Sequence, residues 1–278
     1  MEIIGQKKLL NIINKRIDNN RLARFIIIDG AHGSGKKLIS SYIANKLGAT
    51  FIPCELGIDN VREIINLSYE LTEPTVYMWA DADKMSLGAK NAVLKITEEP
   101  PQNAYFIMTT SNLANILPTL TSRGTLFTMN PYTPTEIEAI IKKIKPDAKL
   151  RVTRLIMNLA TTPQDVKDLF GTDIDKMCNT IEVFCNNVGS INLANSLKVS
   201  SFLQFKEDES DKFNPVLFMR GCMFEFSKSF VETNDSVYSK LVRITSKYLA
   251  DMESKSLSKA ATVDNWILEL HYAVIGGD

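Results

Sequence analysis

A glycine-rich stretch between a short apolar run and a helix-like segment constrains the fold of this chain more than any other feature. Residues 30–37 read GAHGSGKK, between the β-branched run 25–28 and a helical pattern that ends before Gly48. Glycines let the backbone wrap around phosphate oxygens, and a helix N-terminus adds amide donors and a partial positive charge. This context predicts a strand, a phosphate-binding loop (P-loop) and a helix in succession.

The predicted phosphate-binding residues are Gly30, Gly33, Ser34, Gly35, Lys36 and Lys37. Lys36 is expected to pair with the outer phosphates of a nucleotide. A P-loop has Ser or Thr at the next position, where the hydroxyl binds Mg²⁺. Lys37 instead carries an ammonium group, which has no lone pair for the metal and repels it. A glycine-rich turn without a ligand is the alternative, and the glycine spacing favours the phosphate loop.

Strand-like and helix-like segments alternate over the first 129 residues. Strands are predicted at 25–28, 50–52, 75–79, 105–109 and 125–129, with helical periodicity between most of them. Asp59 is predicted to cap one of these helices. Strands separated by helix-length segments imply a parallel sheet covered on both faces. From residue 135 onward the pattern is helical, and the 206–212 stretch (KEDESDK) is among its most loop-like breaks.

The second expected element of a nucleotide-hydrolysing site is an acidic strand end. Residues 75–85 read TVYMWADADKM, and the strand is predicted to finish at Trp79. The methyl side chain of Ala80 cannot bind a metal. The side chain of Asp81 is one methylene shorter than the Glu that an active ATPase has at that position. Asp83 is either a displaced ligand or, as we favour, the cap of the next helix. With both Mg²⁺ ligands missing, hydrolysis is expected to fall by roughly three or more orders of magnitude.

Composition narrows the class of protein. The 278 residues are 45% hydrophobic and 23% charged, which excludes a disordered, collagen-like or disulfide-stapled chain. The 32 basic residues balance 32 acidic ones, so a free-standing basic nucleic-acid binder is disfavoured. Without an apolar run of about 20 residues or a secretion signal, the four cysteines predict reduced thiols in a soluble, cytoplasmic protein.

Several further stretches resemble clamp-loader subunits of the AAA+ family. The most specific is 89–101 (AKNAVLKITEEPP), which is similar to the family's NALLKTLEEPP stretch. Residues 106–112 resemble the strand that ends in the family's sensor 1. Residues 117–124 (LPTLTSRG) resemble its SRC motif, with Gly124 in place of cysteine. The resemblance covers residues 1–130 and thins rapidly beyond them.

The resemblance implies an α/β P-loop AAA+ domain with a parallel sheet at 1–130, an all-α lid at 131–185 and an all-α C-terminal collar for oligomerisation at 186–278. It places Asp81 and Thr110 at the nucleotide site with the loop residues. It makes Arg123 an arginine finger that acts in trans on a neighbour's ATP site. It also offers three candidate DNA contacts: Ser86, Lys90 and Lys95.

Two family features are missing. The four-cysteine zinc module of many relatives is absent, because only Cys54 lies between the P-loop and the acidic strand. A sensor 2 arginine is not evident around residues 161–166, where the nearest basic residue is Lys167. No metal ligand and no zinc are therefore expected.

A degenerate nucleotide site together with the SRC arginine is typical of the family's delta-prime subunits, those of bacterial DNA polymerase III. The resemblance implies a replication subunit that helps to load a sliding clamp, without ATPase activity of its own. ATP or ADP would be bound weakly or structurally, and Mg²⁺ poorly. The implied partners are gamma/tau-like ATPases, a delta-like wrench subunit, the sliding clamp and primed DNA, with no membrane. Two alternatives stay open: an active gamma/tau-type ATPase whose Mg²⁺ is held by Asp81 and Asp83, and a P-loop protein outside replication.

Overall fold

The computed structural model describes residues 3–190, 203, 213–253 and 258–276. It divides into two compact units. The first contains residues 1–140 and 161–165, and the second contains 141–160 and 166–278. Among the described residues, no helix combines the length and apolar composition needed to cross a membrane.

The first unit is an α/β structure whose elements alternate as predicted. In chain order they are α1 (Lys7–Asp18), β1 (Phe25–Asp29), α2 (Lys36–Leu47), β2 (Thr50–Cys54), α3 (Ile58–Ser68), β3 (Thr75–Trp79), α4 (Leu87–Glu98), β4 (Ala104–Thr110), α5 (Pro118–Thr121) and β5 (Thr125–Thr128). Short 3₁₀ turns at Ala82–Lys84 and Leu113–Asn115 follow β3 and β4. The helix α6 (Pro134–Ile144) has residues in both units.

The five strands form one parallel sheet in the order β2-β3-β4-β1-β5. Side chains of β1 alternate between its two faces: Phe25 and Ile27 join one apolar cluster, Ile26 and Ile28 the other. Helices must therefore cover both faces, which explains why the strand reads as an unbroken apolar run. The edge strand β2 carries Pro53, which cannot donate to a further strand.

Two predicted helix caps are wrong. The cap of α3 is Gly57, and Asp59 lies inside the first turn. Ser86 caps α4, since its Oγ accepts a hydrogen bond of 3.2 Å from the amide of Ala89. Asp83 is instead drawn toward the end of β4, where its carboxylate has donors of its own.

The described parts of the second unit are helical, as predicted, apart from a β-bridge between Leu203 and Phe213. Besides the end of α6 it contains α7 (Leu150–Leu159), α8 (Pro163–Gly171), α9 (Ile174–Asn187), α10 (Pro215–Thr233), α11 (Ser236–Glu253) and α12 (Lys259–Ile275); α8 begins in the first unit. Its core includes Phe184, Phe218 and Trp266, whose ring centroids lie 5.5–6.4 Å apart. The predicted boundary between lid and collar lies after residue 185, between Phe184 and Phe218 in the chain, although these two residues pack in the same core. The division into lid and collar stays a prediction. The KEDESDK stretch lies outside the described residues.

Candidate functional site

The carboxyl ends of β1, β4 and β3 lie side by side in the sheet, and the loops that follow them form the candidate site. The glycine-rich loop follows β1, and the amide of Gly30 donates to the carbonyl of Thr110 at 3.1 Å. Gly33 and Gly35 have φ of 73° and 95°, values that favour glycine. Gly35 is the N-cap of α2 and offers no side chain to the first-turn amides. The loop therefore has the backbone shape of an anion-binding nest at a helix N-terminus.

The side chain of Lys36 is folded into this loop. Its Nζ donates to the carbonyls of Gly30 at 2.7 Å and Ala31 at 2.9 Å, and the residue is only 7% exposed. Burial lowers the pKa of Lys36, while the charges of Asp81, Asp29 and Asp83 act in the opposite direction. Lys36 thus holds the loop closed on itself and carries a charge beside the position expected for phosphate.

Residues far along the chain brace the outside of the loop. The phenol of Tyr132 donates to the carbonyl of Ser34 at 2.8 Å, and the amide of Gln164 donates to the carbonyl of Gly33 at 3.3 Å. A Cβ on Gly33 would lie 2.4 Å from that of Gln164 and 2.8 Å from Oγ1 of Thr162. Sequence reasoning missed both contacts: residues 161–166 were considered only for a sensor 2 arginine, and nothing near Tyr132 signals a contact with the loop.

The turn that presents Gln164 is fixed by a capping arrangement at the start of α8. Oδ2 of Asp165 accepts from the amides of Thr161 at 2.8 Å and Thr162 at 2.9 Å, and from the Thr161 hydroxyl. Oγ1 of Thr162 in turn accepts from the amide of Asp165 at 3.3 Å. These bonds lower the pKa of Asp165 although burial acts to raise it. Residues 161–165 therefore form a rigid turn against the P-loop.

The residues that follow β3, where the sequence predicts no complete metal ligand, make contacts with other parts of the protein. Asp81 adopts a left-handed conformation (φ 51°), and its amide donates to Oγ1 of Thr109 at 3.1 Å. Its Oδ2 pairs with Nζ of Lys84 at 3.1 Å. Ala80 is exposed and brings no ligand atom.

Asp83 and Thr110 tie two strand ends together. Oδ1 of Asp83 accepts from the hydroxyl of Thr110 at 3.0 Å and from the amide of Ser111 at 3.4 Å. Thr110 is fully buried, and its Oγ1 also accepts from the amide of Asn112 at 3.0 Å. The hydroxyl is thus used inside the protein, and a role for Thr110 toward nucleotide stays a prediction.

The site fits a phosphate chain better than it fits Mg²⁺. The open amides and Lys36 suit phosphate oxygens. At the metal position, Lys37 is the exposed second residue of α2, and the strand-end carboxylates of Asp81 and Asp83 already have partners. Throughout the described ranges, no group of three or more His, Cys, Asp or Glu side chains is arranged to hold a metal ion. Position 37 brings an ammonium where a P-loop has its magnesium-binding hydroxyl, so the residue at this position does not fit the ion.

The proposed arginine finger lies on the surface after α5. One Nη of Arg123 pairs with Oε1 of Glu98 at 3.0 Å, and the other donates to the carbonyl of Thr119 at 3.1 Å. The Arg123 side chain is 39% exposed. Gly124 packs against Phe25, whose ring atoms would lie 2.9 Å from an added Cβ. A larger residue at position 124 would therefore have to displace the Phe25 ring.

The three candidate DNA contacts lie in very different environments. Ser86 is exposed and caps α4. Lys95 is exposed on the same helix. Lys90 is only 8% exposed, and its ammonium donates to the carbonyls of Asp83 at 3.0 Å and Asn115 at 2.7 Å. Lys90 is a poorer candidate for a DNA contact than Ser86 and Lys95, because its ammonium is little exposed and is held by two main-chain carbonyls.

Comparison with known proteins extends the resemblance noted in the sequence. The family described as "DNA polymerase III, delta subunit" matches residues 54–133. Replication factor C subunit 3 of Schizosaccharomyces pombe is 28% identical over 176 residues, which are 55% of this chain and 51% of that protein. DNA polymerase III subunit gamma of Buchnera aphidicola is 28% identical over 174 residues, which are 51% of this chain and 48% of that protein. The chain thus spans about half the length of these relatives.

A solved structure supports the fold over a longer range. A DNA polymerase III gamma subunit-related protein of Thermotoga maritima matches with a TM-score of 0.51 and 18% sequence identity. The match covers 96% of this chain and 100% of that one. At this identity the likeness concerns the fold alone, and it confirms the α/β unit with a parallel sheet followed by helices.

Proposed function

We propose that this chain, an AAA+ clamp-loader subunit, acts in DNA replication as a ring member that does not hydrolyse ATP itself and donates Arg123 to the ATP site of its neighbour. This is the combination of the family's delta-prime subunits. The observation that carries the proposal is the contrast between the two ends of the first unit. One end has an exposed arginine, and the other has a phosphate loop with Lys37 at the position of the magnesium-binding hydroxyl.

Arg123 is suited to act on a second subunit because its guanidinium can leave its present partner at little cost in free energy. Its present partner is the Glu98 carboxylate, 60% exposed, and an ion pair between exposed groups is worth about 0–1 kcal/mol. A triphosphate of a neighbouring subunit carries more charge and can accept two parallel N–H bonds from a guanidinium. An arginine finger contributes about 10³–10⁵ in rate by stabilising charge on the transferred phosphoryl group.

The chain's own phosphate loop would bind nucleotide without turning it over. Lys36 and the first-turn amides of α2 offer donors to phosphate, so ATP or ADP is a weak or structural ligand in this proposal. Lys37 and Ala80 bring no oxygen for Mg²⁺. The magnesium ion therefore does not fit this site, and no hydrolytic step is assigned to it.

A gamma/tau-type ATPase is the second candidate, because the similar proteins include gamma subunits. It would need Asp81 and Asp83 as magnesium ligands. Asp83 is held by donors at the end of β4, and Lys37 places an ammonium at the position where a P-loop binds magnesium. We therefore favour the non-hydrolysing role.

The proposed partners follow from that role. They are gamma/tau-like ATPases, a delta-like wrench subunit, the sliding clamp and primed DNA, in a cytoplasmic hetero-oligomer. Ser86 and Lys95 remain the candidate DNA contacts on α4.

Arg123→Ala in the reconstituted complex tests the proposal. With clamp and primed DNA present, hydrolysis at the ATP site that borders this chain is expected to fall by about 10³-fold or more. Complex assembly, measured by size-exclusion chromatography, is expected to be unchanged. Arg62→Ala is the matched control, because Arg62 is an exposed arginine on α3. Equal turnover in the Arg123→Ala and Arg62→Ala complexes would show that Arg123 is not a trans-acting finger.

A further inference from the structure

We infer that the P-loop of this chain binds a nucleoside diphosphate or triphosphate more tightly without magnesium than with it. An ordinary P-loop has the opposite preference, and we infer that Lys37 causes the change. The inference rests on the proposed function, since it concerns the same degenerate loop. It goes further by stating which form of the ligand is bound and which side chain selects it.

The first argument is the charge at the start of α2. Lys36 and Lys37 occupy its first two positions, and the first turn contains no acidic residue. The N-terminus of a helix already carries a partial positive charge, so two cations there are unfavourable until an anion is present. Gly35 provides no side-chain cap that could supply negative charge. An anion with several phosphate oxygens therefore complements this helix end.

The two lysines have separate tasks. Lys36 is buried, holds two loop carbonyls and has three aspartates in its electrostatic environment, namely Asp81, Asp29 and Asp83. Much of its charge is thus offset within the protein. Lys37 is exposed and is the first-turn cation open to solvent. It stands where a P-loop has the hydroxyl that binds magnesium. A phosphate oxygen freed from the metal can instead accept a bond from the Lys37 ammonium.

The second argument is the state of the carboxylates. Magnesium on a nucleotide is usually held by few protein ligands, so the loss of each one matters. Oδ2 of Asp81 pairs with Lys84 at 3.1 Å. Oδ1 of Asp83 accepts from Thr110 at 3.0 Å and from the amide of Ser111 at 3.4 Å. A metal ion would compete with the donors that already hold Oδ1 of Asp83, and it would meet the charge of Lys37. Metal-free nucleotide avoids both costs.

Isothermal titration calorimetry of the full chain with ADP tests this inference, once in excess EDTA and once in excess MgCl₂. The wild type is expected to bind ADP in EDTA, and about tenfold more weakly with Mg²⁺, because the ion reduces the charge on the phosphates and is repelled by Lys37. Lys37→Thr restores the hydroxyl of a P-loop. Without the Lys37 charge, this variant is expected to lose most of the preference for EDTA, although Asp83 keeps its donors.

Lys46→Thr is the matched control. Lys46 is exposed in the last turn of the same helix, so the variant removes an equal charge at the opposite end. It is expected to keep the wild-type preference for EDTA. Circular dichroism of each variant verifies that it is folded.

Three outcomes would overturn the inference: tighter binding of ADP to the wild type with Mg²⁺, no binding in either buffer at ~1 mM ADP, or the same metal dependence in Lys37→Thr as in Lys46→Thr. None of these outcomes affects the result of the Arg123→Ala experiment, which measures hydrolysis at a neighbour's site. The proposed function can therefore stand or fall separately.

Discussion

Gly33→Ala is expected to destabilise the first unit well beyond the usual cost of replacing a glycine. Gly33 has φ 73°, and an alanine in a left-handed conformation costs about 1–2 kcal/mol. The new Cβ would also lie 2.4 Å from Cβ of Gln164 and 2.8 Å from Oγ1 of Thr162. Forcing one carbon into such a packed position costs a further ~1–3 kcal/mol. Alanine recovers about 0.4–1 kcal/mol by restricting the unfolded chain, so the net expected loss is ~1–5 kcal/mol, centred near ~3 kcal/mol.

Gly48→Ala separates the two contributions. Gly48 also has a positive φ, 62°, but an added Cβ would meet no atom within 4 Å. Its expected loss is only ~1 kcal/mol. Urea unfolding can be followed by the fluorescence of Trp79, buried in the first unit, with Trp266→Phe as the common background, since the chain has two tryptophans. Equal losses in the two alanine variants would mean that residues 162–164 do not pack against the loop.

Two further predictions concern buried or capping polar groups. Asp165→Asn is expected to cost about 1 kcal/mol at neutral pH by weakening the cap of α8. Because the folded pKa of Asp165 is lowered, its contribution is present above the unfolded pKa of about 3.9 and is lost as pH falls through the folded pKa. Urea unfolding is measured at neutral pH and at a pH below the folded pKa of Asp165. The difference in unfolding free energy between variant and wild type should shrink at the lower pH, and a constant difference would contradict the ionic cap. Lys90→Met removes a little-exposed ammonium from two main-chain carbonyls and should cost about 1–3 kcal/mol, whereas Lys95→Met on the same helix should stay within about 0.5 kcal/mol. Similar stabilities of these two variants would show that Lys90 is not a buried structural group.

The elements of the first unit were predictable because each is encoded by neighbouring residues. The strand Thr75–Trp79 has the predicted bounds, since a strand buried on both faces is a continuous apolar run. The helix Lys36–Leu47 also has its predicted bounds, because Gly48 adopts the left-handed conformation that ends a helix. Caps were less predictable. A carboxylate such as that of Asp83 can serve a neighbouring strand instead of the helix that follows it.

The candidate site was predictable only in its contiguous part. The glycine-rich loop and the altered strand end are short segments with recognisable residue order. The braces on the loop come from Tyr132 and Gln164, about 100 or more residues away in the chain. No local pattern connects such residues, because the fold alone brings them together. The burial of Lys90 was missed for the same reason, since its carbonyl partners belong to other segments.

The rate of ATP hydrolysis by the isolated chain with excess Mg²⁺ tests most directly whether this subunit hydrolyses nucleotide at its own site. We expect a rate no higher than that of Lys36→Met, a variant that removes the P-loop ammonium. A turnover near ~1 s⁻¹ that disappears in Lys36→Met would contradict the non-hydrolysing role and favour the gamma/tau-type ATPase.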